Sequence, residues 1–480
     1  MGHLGSEQRG WPTLRRPIAS KVAPKVSWFY RALYRSYSLG SLISLFFNRR
    51  VTPVGWGILS LLLLTTILGV DFSKSTLYQL FSLIVGALAV SLGWAWCRRG
   101  RLMVERELPR YATVGESLSY FVTVTNRGRY ALRGFFLDEW PPDARPTMMS
   151  FARIGEPGEE QRNAFDRFFV YYRWRWLMER RLLFEAGTGR GQLMVGPGDS
   201  LKVRMEILPL KRGIIPLSDL RLRLPDPLGL FQRCRKVLSD DDHVTVFPRC
   251  YRLAPMKLSG QACFEHGGDT LAHAAGQSGD FLGLRDYRSG DPMRRIHWKG
   301  WARTGRPIVR EFEDISLPHY ALILDNFVEH GDENLLEDSI SVAASFARAI
   351  DTRHNTVDLV TMRDEAAVIR EGQGVGRSEK IMKVLAELTG EAEERLEELE
   401  KVVIRHSERL TAGIAVFTGW NLARADFLGR LAITGLEITA LILCRDASDV
   451  RSIIEERPLP CRYHLLEPPG VEEELRKVHL

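Results

Sequence analysis

Residues 288–306, RSGDPMRRIHWKGWARTGR, gather Arg288, Arg294, Arg295, Lys299, Arg303 and Arg306 around one histidine, His297, and two tryptophans, Trp298 and Trp301. Three chemistries suit such a set. An imidazole at His297 with the Asp291 carboxylate is the material of general acid–base catalysis, as in a hydrolase. A row of cations grips an anionic partner, whether acidic protein, lipid headgroup or nucleic acid. Alternatively the cations pair with Glu311, Glu313 and Asp314 just downstream and brace a domain seam. Asp291 and His297 are six residues apart across a predicted helix start, which puts them on different faces and argues against catalysis.

The elements that must position this cluster can be read locally. Asp291-Pro292 predicts a helix start, with the aspartate as N-cap and proline in the first turn. Thr304-Gly305 predicts its stop. Between them Arg295, Lys299 and Arg303 recur every four residues and form one row, beside a narrow apolar face of Met293, Ile296 and Gly300. Such a row repels itself unless water, acids or an anionic ligand face it.

The charge of the whole chain narrows the choice. Of the net +7 over 480 residues, residues 1–50 contribute nine Lys/Arg against Glu7 alone, so the remainder is near neutral. That balance argues against a nucleic-acid partner. Six scattered cysteines, with no CxxC pair and no histidine at metal-ligand spacing, suggest thiols in a reducing compartment.

Two uncharged runs, Val51–Val70 and Ser75–Cys97, flank a four-residue polar tip. Each is long enough to cross ~30 Å of hydrocarbon as a helix, so residues 51–97 are expected to form a transmembrane hairpin. Arg49, Arg50, Arg98, Arg99 and Arg101 at its outer ends would keep both termini and the soluble domains in the cytoplasm, at the plasma (inner) membrane. The basic, aromatic segment 1–50 suits an interfacial position, so lipid contact is expected through residues 1–97.

Residues 101–250 read as short strands with Gly/Pro turns. Leu118, Tyr120, Val122 and Val124 alternate with polar neighbours. The expectation is an antiparallel β-sandwich of immunoglobulin-like size. Within it, residues 164–185 admit two readings: a β hairpin with Phe168, Val170, Tyr172 and Trp174 on its inner face, or an aromatic, basic surface touching lipid or a partner. From residue 316 to 480 the pattern becomes alternating strands and helices. YALILD (320–325), TVDLVTM (356–362), GIAVFTG (413–419) and ITALILC (438–444) suit central parallel strands. Leu336, Ile340, Ala343, Ala347 and Ile350 share one helical face, and a charged helix around 391–410 turns Leu396 and Leu399 inward. This predicts a three-layer, doubly wound α/β domain. No GxGxxG or GxxxxGK[ST] follows a strand, so the usual nucleotide sites are absent.

The segment 279–314 carries Arg285-x-Tyr287-x-x-Gly290-Asp291, Arg294-x-Ile296-x-Trp298-Lys299 and Ala302-Arg303-Thr304-Gly305. In these steps it resembles the signature of the prokaryotic family named domain of unknown function 58. KRG (211–213), DPLGLF (226–231) and VFPR (246–249) resemble that family's lead-in, so the likeness extends over roughly residues 50–450. The resemblance implies a membrane-anchored protein with a von Willebrand factor A-like α/β domain, often encoded beside MoxR-type AAA+ ATPases and transglutaminase-like proteins. In such domains Asp-x-Ser-x-Ser after the first strand, with a later Thr and Asp, binds a divalent cation. Here Asp325 alone is kept, Phe327 and Glu329 replace both serines, and Gly419 stands in the later aspartate's place. The resemblance therefore implies the scaffold with neither metal nor cofactor. The expectation is a non-enzymatic adaptor or assembly factor, with the AAA+ ATPase as partner. Arg285, Tyr287, Gly290, Asp291, Arg295, Trp298, Lys299 and Arg303, in the region 251–315, are expected to form either the domain seam or part of its interaction surface.

Overall fold

The computed structural model describes residues 28–68, 75–97, 102–189, 191–237, 242–254, 280–313, 319–328, 332–350, 356–363, 365–370, 378–392 and 394–478. By compactness the chain divides into two interleaved units. The first holds residues up to Arg106, Phe121–Met205 and Ser218–Asp240; the second holds Glu107–Tyr120, Glu206–Leu217 and everything from Asp241.

Three helices open the chain: α1 (Trp28–Arg50), α2 (Pro53–Leu68) and α3 (Ser75–Cys97). The expected transmembrane hairpin is corrected here. Among the described residues no helix is long and apolar enough to cross a membrane. The uncharged run overstated the first helix, because its leading residues are not helical. Val51 makes a bridge to Phe231, and the Thr52 hydroxyl donates to the Gly229 carbonyl and caps the helix by accepting from Gly55 N–H at 3.0 Å. The described part of α2, 16 residues, rises about 24 Å, short of ~30 Å of hydrocarbon. Gly55 has no room for a Cβ beside the Leu230 carbonyl, so its lack of a side chain lets α2 approach the 226–231 turn. On α3, buried Ser91 donates to the Asp226 carboxylate of the same turn.

The strands that follow are β1 (Leu102–Glu107), β2 (Tyr111–Thr113), β3 (Leu118–Asn126) and β4 (Leu132–Glu139). Helices α4 (Met148–Arg153), α5 (Ala164–Phe169) and α6 (Tyr171–Glu179) come next. Then come β5 (Phe184–Glu185), β6 (Gly187–Thr188), β7 (Leu193–Val195), β8 (Ser200–Pro209), β9 (Gly213–Leu217), β10 (Leu220–Pro225), β11 (Gln232–Lys236) and β12 (Asp242–Phe247). In place of one antiparallel sandwich there are three sheets: β1-β3-β8-β5, β11-β10-β4-β6 with β7 also on β4, and β2-β12-β9. The third contains a parallel pair, β2 with β12, which an immunoglobulin-like sandwich does not predict. The alternation itself holds. Leu118, Tyr120, Val122 and Val124 are buried on β3, as are Leu220, Leu222 and Leu224 on β10.

The β hairpin expected at 164–185 is two helices. Asn163 caps α5 through Asp166 N–H, and Val170 breaks the run with φ 52°, a backbone that β-branched residues rarely adopt. The aromatics that alternate in sequence instead meet α1. Trp174 and Phe151 pack with Tyr30, Tyr34 and Tyr37, and the Tyr37 hydroxyl donates to the Phe169 carbonyl at 2.7 Å.

Beyond the third sheet, β13 (Asp280–Asp286), helix α7 (Trp298–Thr304) and β14 (Ile308–Glu313) form a separate hairpin. The α/β region then runs β15 (His319–Leu324), α8 (Glu333–Ala349), β16 (Thr356–Arg363), β17 (Glu365–Arg370), α9 (Ser378–Glu387), α10 (Leu396–His406), β18 (Ala412–Thr418), α11 (Leu422–Ile433), β19 (Glu437–Leu443), α12 (Ala447–Glu456), β20 (Arg462–Leu466) and α13 (Val471–Leu475). Its six strands order β17-β16-β15-β18-β19-β20, parallel except for the β17 edge. One core gathers α8, α9 and α13 with side chains such as Leu322 and Val416; the other gathers α10, α11 and α12 with Ile323 and Phe417. Arg212, in the KRG step, donates to the carbonyls of Leu385 (3.0 Å) and Leu388 at the end of α9, where a helix presents its unsatisfied acceptors.

Candidate functional site: the basic signature hairpin

β13 and β14 pair in antiparallel register with a bulge between Phe281 and Gly283, and the loop 287–307 is stitched back onto them. Tyr287 N–H donates to Pro307 O (2.9 Å), His297 N–H donates to Ile308 O (2.8 Å), and Ile296 bridges Val309. Ile296 and Val309 are buried, and they are what the loop folds onto.

Asp291 is not the helix cap expected from the sequence. Its carboxylate accepts both Arg285 guanidinium nitrogens, at 2.8 and 2.7 Å, and the Arg288 N–H at 2.8 Å. The Arg285 fork, then the Arg288 amide, hold this carboxyl below its ordinary value. Gly290, at φ 110°, makes the turn that lets the backbone reach it. The predicted single helix is also corrected. Met293–Arg295 form a 3-10 turn, the chain becomes extended at Ile296, and α7 starts at Trp298. Arg295 therefore lies outside the row, and only Lys299 and Arg303 share a helical face at i, i+4. Met293, placed on the apolar face in the sequence reading, is 74% exposed.

The residue that does cap α7 is His297, whose Nδ1 accepts the Gly300 N–H at 3.0 Å. A Cβ on Gly300 would stand 2.6 Å from that nitrogen, so the cap requires glycine there. Gly300→Ala should lose the cap, destabilising the hairpin by about 1 kcal/mol despite alanine's better helix propensity. Faster amide exchange confined to 297–305 would show it; unchanged exchange would refute the cap's role. Gly305, at φ 68°, closes the helix with its N–H on Trp301 O.

The surface this frame presents is cationic and aromatic. Arg294, Lys299, Arg303, Arg306 and Arg310 are exposed and Arg295 half-buried, and among the described residues none has a carboxylate within ion-pair distance. Trp298, 63% exposed, stacks on Trp301 with ring centroids 5.4 Å apart. The hairpin thus unites all eight signature residues singled out in the sequence. It does not pair His297 with Asp291, since each is engaged elsewhere.

At the end of β15 the structure supplies residues that sequence reasoning missed. Asp325 is fully buried, and its carboxylate is taken by Arg424 Nε (2.5 Å) and by Phe327 N–H (2.9 Å). Burial pushes its carboxyl up, against the pull of Arg424. Arg424 also reaches Phe327 O and Glu394, and Asn421 caps α11 while donating to Glu394. Thr418 donates to the Asp325 carbonyl at 2.8 Å. A cation does not fit this set: the one buried carboxylate already faces a guanidinium, and Glu329 lies outside the described residues. Among the described residues no cluster of three or more His, Cys, Asp or Glu could hold a metal. The missed signal was Arg424 itself, a cation in the first turn of a helix, where the dipole disfavours it unless an acid lies opposite.

With the signature's geometry established, the family comparison bears on one stretch. Residues 283–439 match the family model of the protein of unknown function DUF58. The match begins inside β13, takes in α7, β14 and the strands β15 to β18, ends inside β19, and supports the DUF58 resemblance. No curated protein sequence matches the chain. Among solved structures, a CARDB domain from Pyrococcus furiosus, in complex with di-metal ions, is similar at 12% identity over 31% of this chain and 93% of that one, with TM-score 0.16. A beta-glucosidase from Listeria innocua, in complex with gluconolactone, is similar at 14% identity over 31% of this chain and 16% of that one, with TM-score 0.14. Both TM-scores are too low to carry an argument about fold or function.

Proposed function

We propose that this DUF58-like chain is a non-enzymatic adaptor whose signature hairpin docks an acidic face of another protein. The observation that carries the reading is a cluster of cations, most of them exposed, that have no acid partner among the described residues, beside a stacked tryptophan pair on a stitched hairpin. Arginine and tryptophan are the side chains most often decisive in protein interfaces. A small, localised cluster of cations suits one acidic partner better than a long polyanion, and the near-neutral body offers little steering for nucleic acid. Against a hydrolase at His297 and Asp291 stands the engagement of both groups in the hairpin's own frame.

The strand order of the α/β sheet, with its single antiparallel edge, supports a von Willebrand factor A-like scaffold. On the family resemblance, the partner to test first is a MoxR-type AAA+ ATPase. Purified full-length chain should bind such an ATPase from the same genome, more weakly as salt rises. Arg295→Glu/Lys299→Glu should weaken binding about tenfold or more at an unchanged thermal midpoint. Equal binding by wild type and variant, or no binding at all, would remove the hairpin's assigned role.

A further inference from the structure

Within the first unit, helix α1 is held through one face. Tyr30, Leu33, Tyr34 and Tyr37 pack on Phe151 and Trp174, and the Tyr34 hydroxyl donates to the Pro146 carbonyl at 3.2 Å. The far end is tied as well, since the Arg49 carbonyl accepts from Gln232 Nε2 at 3.2 Å. At 3.6 residues per turn, Trp28, Arg35, Leu39, Leu42, Phe46 and Arg50 fall on the other face, along about 34 Å of helix. The apolar members of that face, with Ile43 beside them, are 46–74% exposed. The helix carries four arginines and no acid. The half-buried Arg49 turns its guanidinium to the Trp140 ring, 3.4 Å from the centroid. Arg31, Arg35 and Arg50 are exposed, and among the described residues none of the three has a carboxylate within ion-pair distance. Arg31 stands in the first turn, where the helix dipole disfavours a cation, and it forms a like-charged i, i+4 pair with Arg35. Helix stability alone calls for neither.

We infer that α1 lies flat on an anionic bilayer surface. Leu39, Leu42, Ile43 and Phe46 sit where headgroups meet acyl chains, and Arg31, Arg35 and Arg50 lie among the phosphates. An amphipathic helix with tryptophan and phenylalanine on one face and arginines beside them suits that plane. Charge complementarity selects this occupant. Arginines bracket the apolar stretch at both ends with no acid between them, so an anionic surface as long as the helix satisfies all three. A second copy laid on the same face would set these arginines against one another, whether parallel or antiparallel. At the N-terminal end Phe29 meets Phe168 with ring centroids 4.7 Å apart, and Phe165 and Phe168 are exposed on α5, so the aromatic surface is wider than one helix. Such a contact needs no helix that crosses the bilayer.

The test mixes the full-length chain with sedimenting vesicles of phosphatidylcholine alone and of phosphatidylcholine with an equal part of phosphatidylglycerol. Retention should be on the order of a hundredfold stronger on the mixed vesicles, about fivefold for each of Arg31, Arg35 and Arg50, and should weaken as salt rises. Arg31→Ala/Arg35→Ala should leave about a fivefold preference, while Arg31→Lys/Arg35→Lys, which keeps the charge, should leave it whole. Leu39→Ser/Ile43→Ser, at exposed positions, should weaken retention on both vesicles at an unchanged thermal midpoint. Equal retention of the wild type on both vesicles would overturn the inference. So would a preference that survives Arg31→Ala/Arg35→Ala undiminished. A wild-type dimer in uncharged detergent that Leu39→Ser/Ile43→Ser breaks would also overturn it, giving the face to a second copy.

Discussion

Arg424→Ala should destabilise the α/β unit by about 3–5 kcal/mol, because it leaves the fully buried Asp325 carboxylate facing an empty space. The penalty belongs to the broken pair rather than to lost attraction. The double variant Asp325→Leu/Arg424→Met, apolar at both positions, should therefore recover most of the loss. Urea unfolding with hydrogen exchange to localise the transition would decide it. If the single variant costs under 1 kcal/mol, the pair is not holding the end of β15 to α11.

Arg106→Ala should cost the first unit a similar amount, about 3–5 kcal/mol. The Arg106 guanidinium meets Glu139 in a fork, Nε and Nη2 lying 3.2 and 2.9 Å from Oε2, with both side chains wholly inaccessible to water. The two variants test different cores, so they should act on different transitions if the units unfold separately. Arg106→Ala should accelerate exchange in β1, β3 and β4, and Arg424→Ala in β15, β18 and α11. Identical exchange maps from both would mean that the chain unfolds as one cooperative block. Protection of β1, β3 and β4 that survives Arg106→Ala would deny the fork any part in holding the sheets.

What the sequence showed depended on the range of the interaction responsible. The four apolar runs at 320–325, 356–362, 413–419 and 438–444 coincide with β15, β16, β18 and β19, because a strand buried on both faces needs little beyond its own composition. Leu118 to Val124 were legible for the same local reason. Phe168 to Trp174 were not. Their alternation mimics a strand, and it is the tyrosines of α1, more than a hundred positions away, that make two short helices the better burial. Asp291 looked like a cap until Arg285, on a strand six residues earlier, claimed its carboxylate, leaving His297 to cap the helix. The apolar run after Arg50 misled because Val51 and Thr52 are held by the 226–231 turn, a partner no local window contains. At the Asp325 site the lone acid was visible, but its cation lay ninety-nine positions downstream.

The interleaving of the two units sets an order on biosynthesis. Tyr111 pairs with Thr245, so on the order of 130 residues, or about 7–27 s of elongation at ~5–20 residues per second, separate the emergence of β2 from that of its parallel partner. Throughout that interval the early strands of the second unit must wait without their partner. The chain is therefore born exposed and closes late.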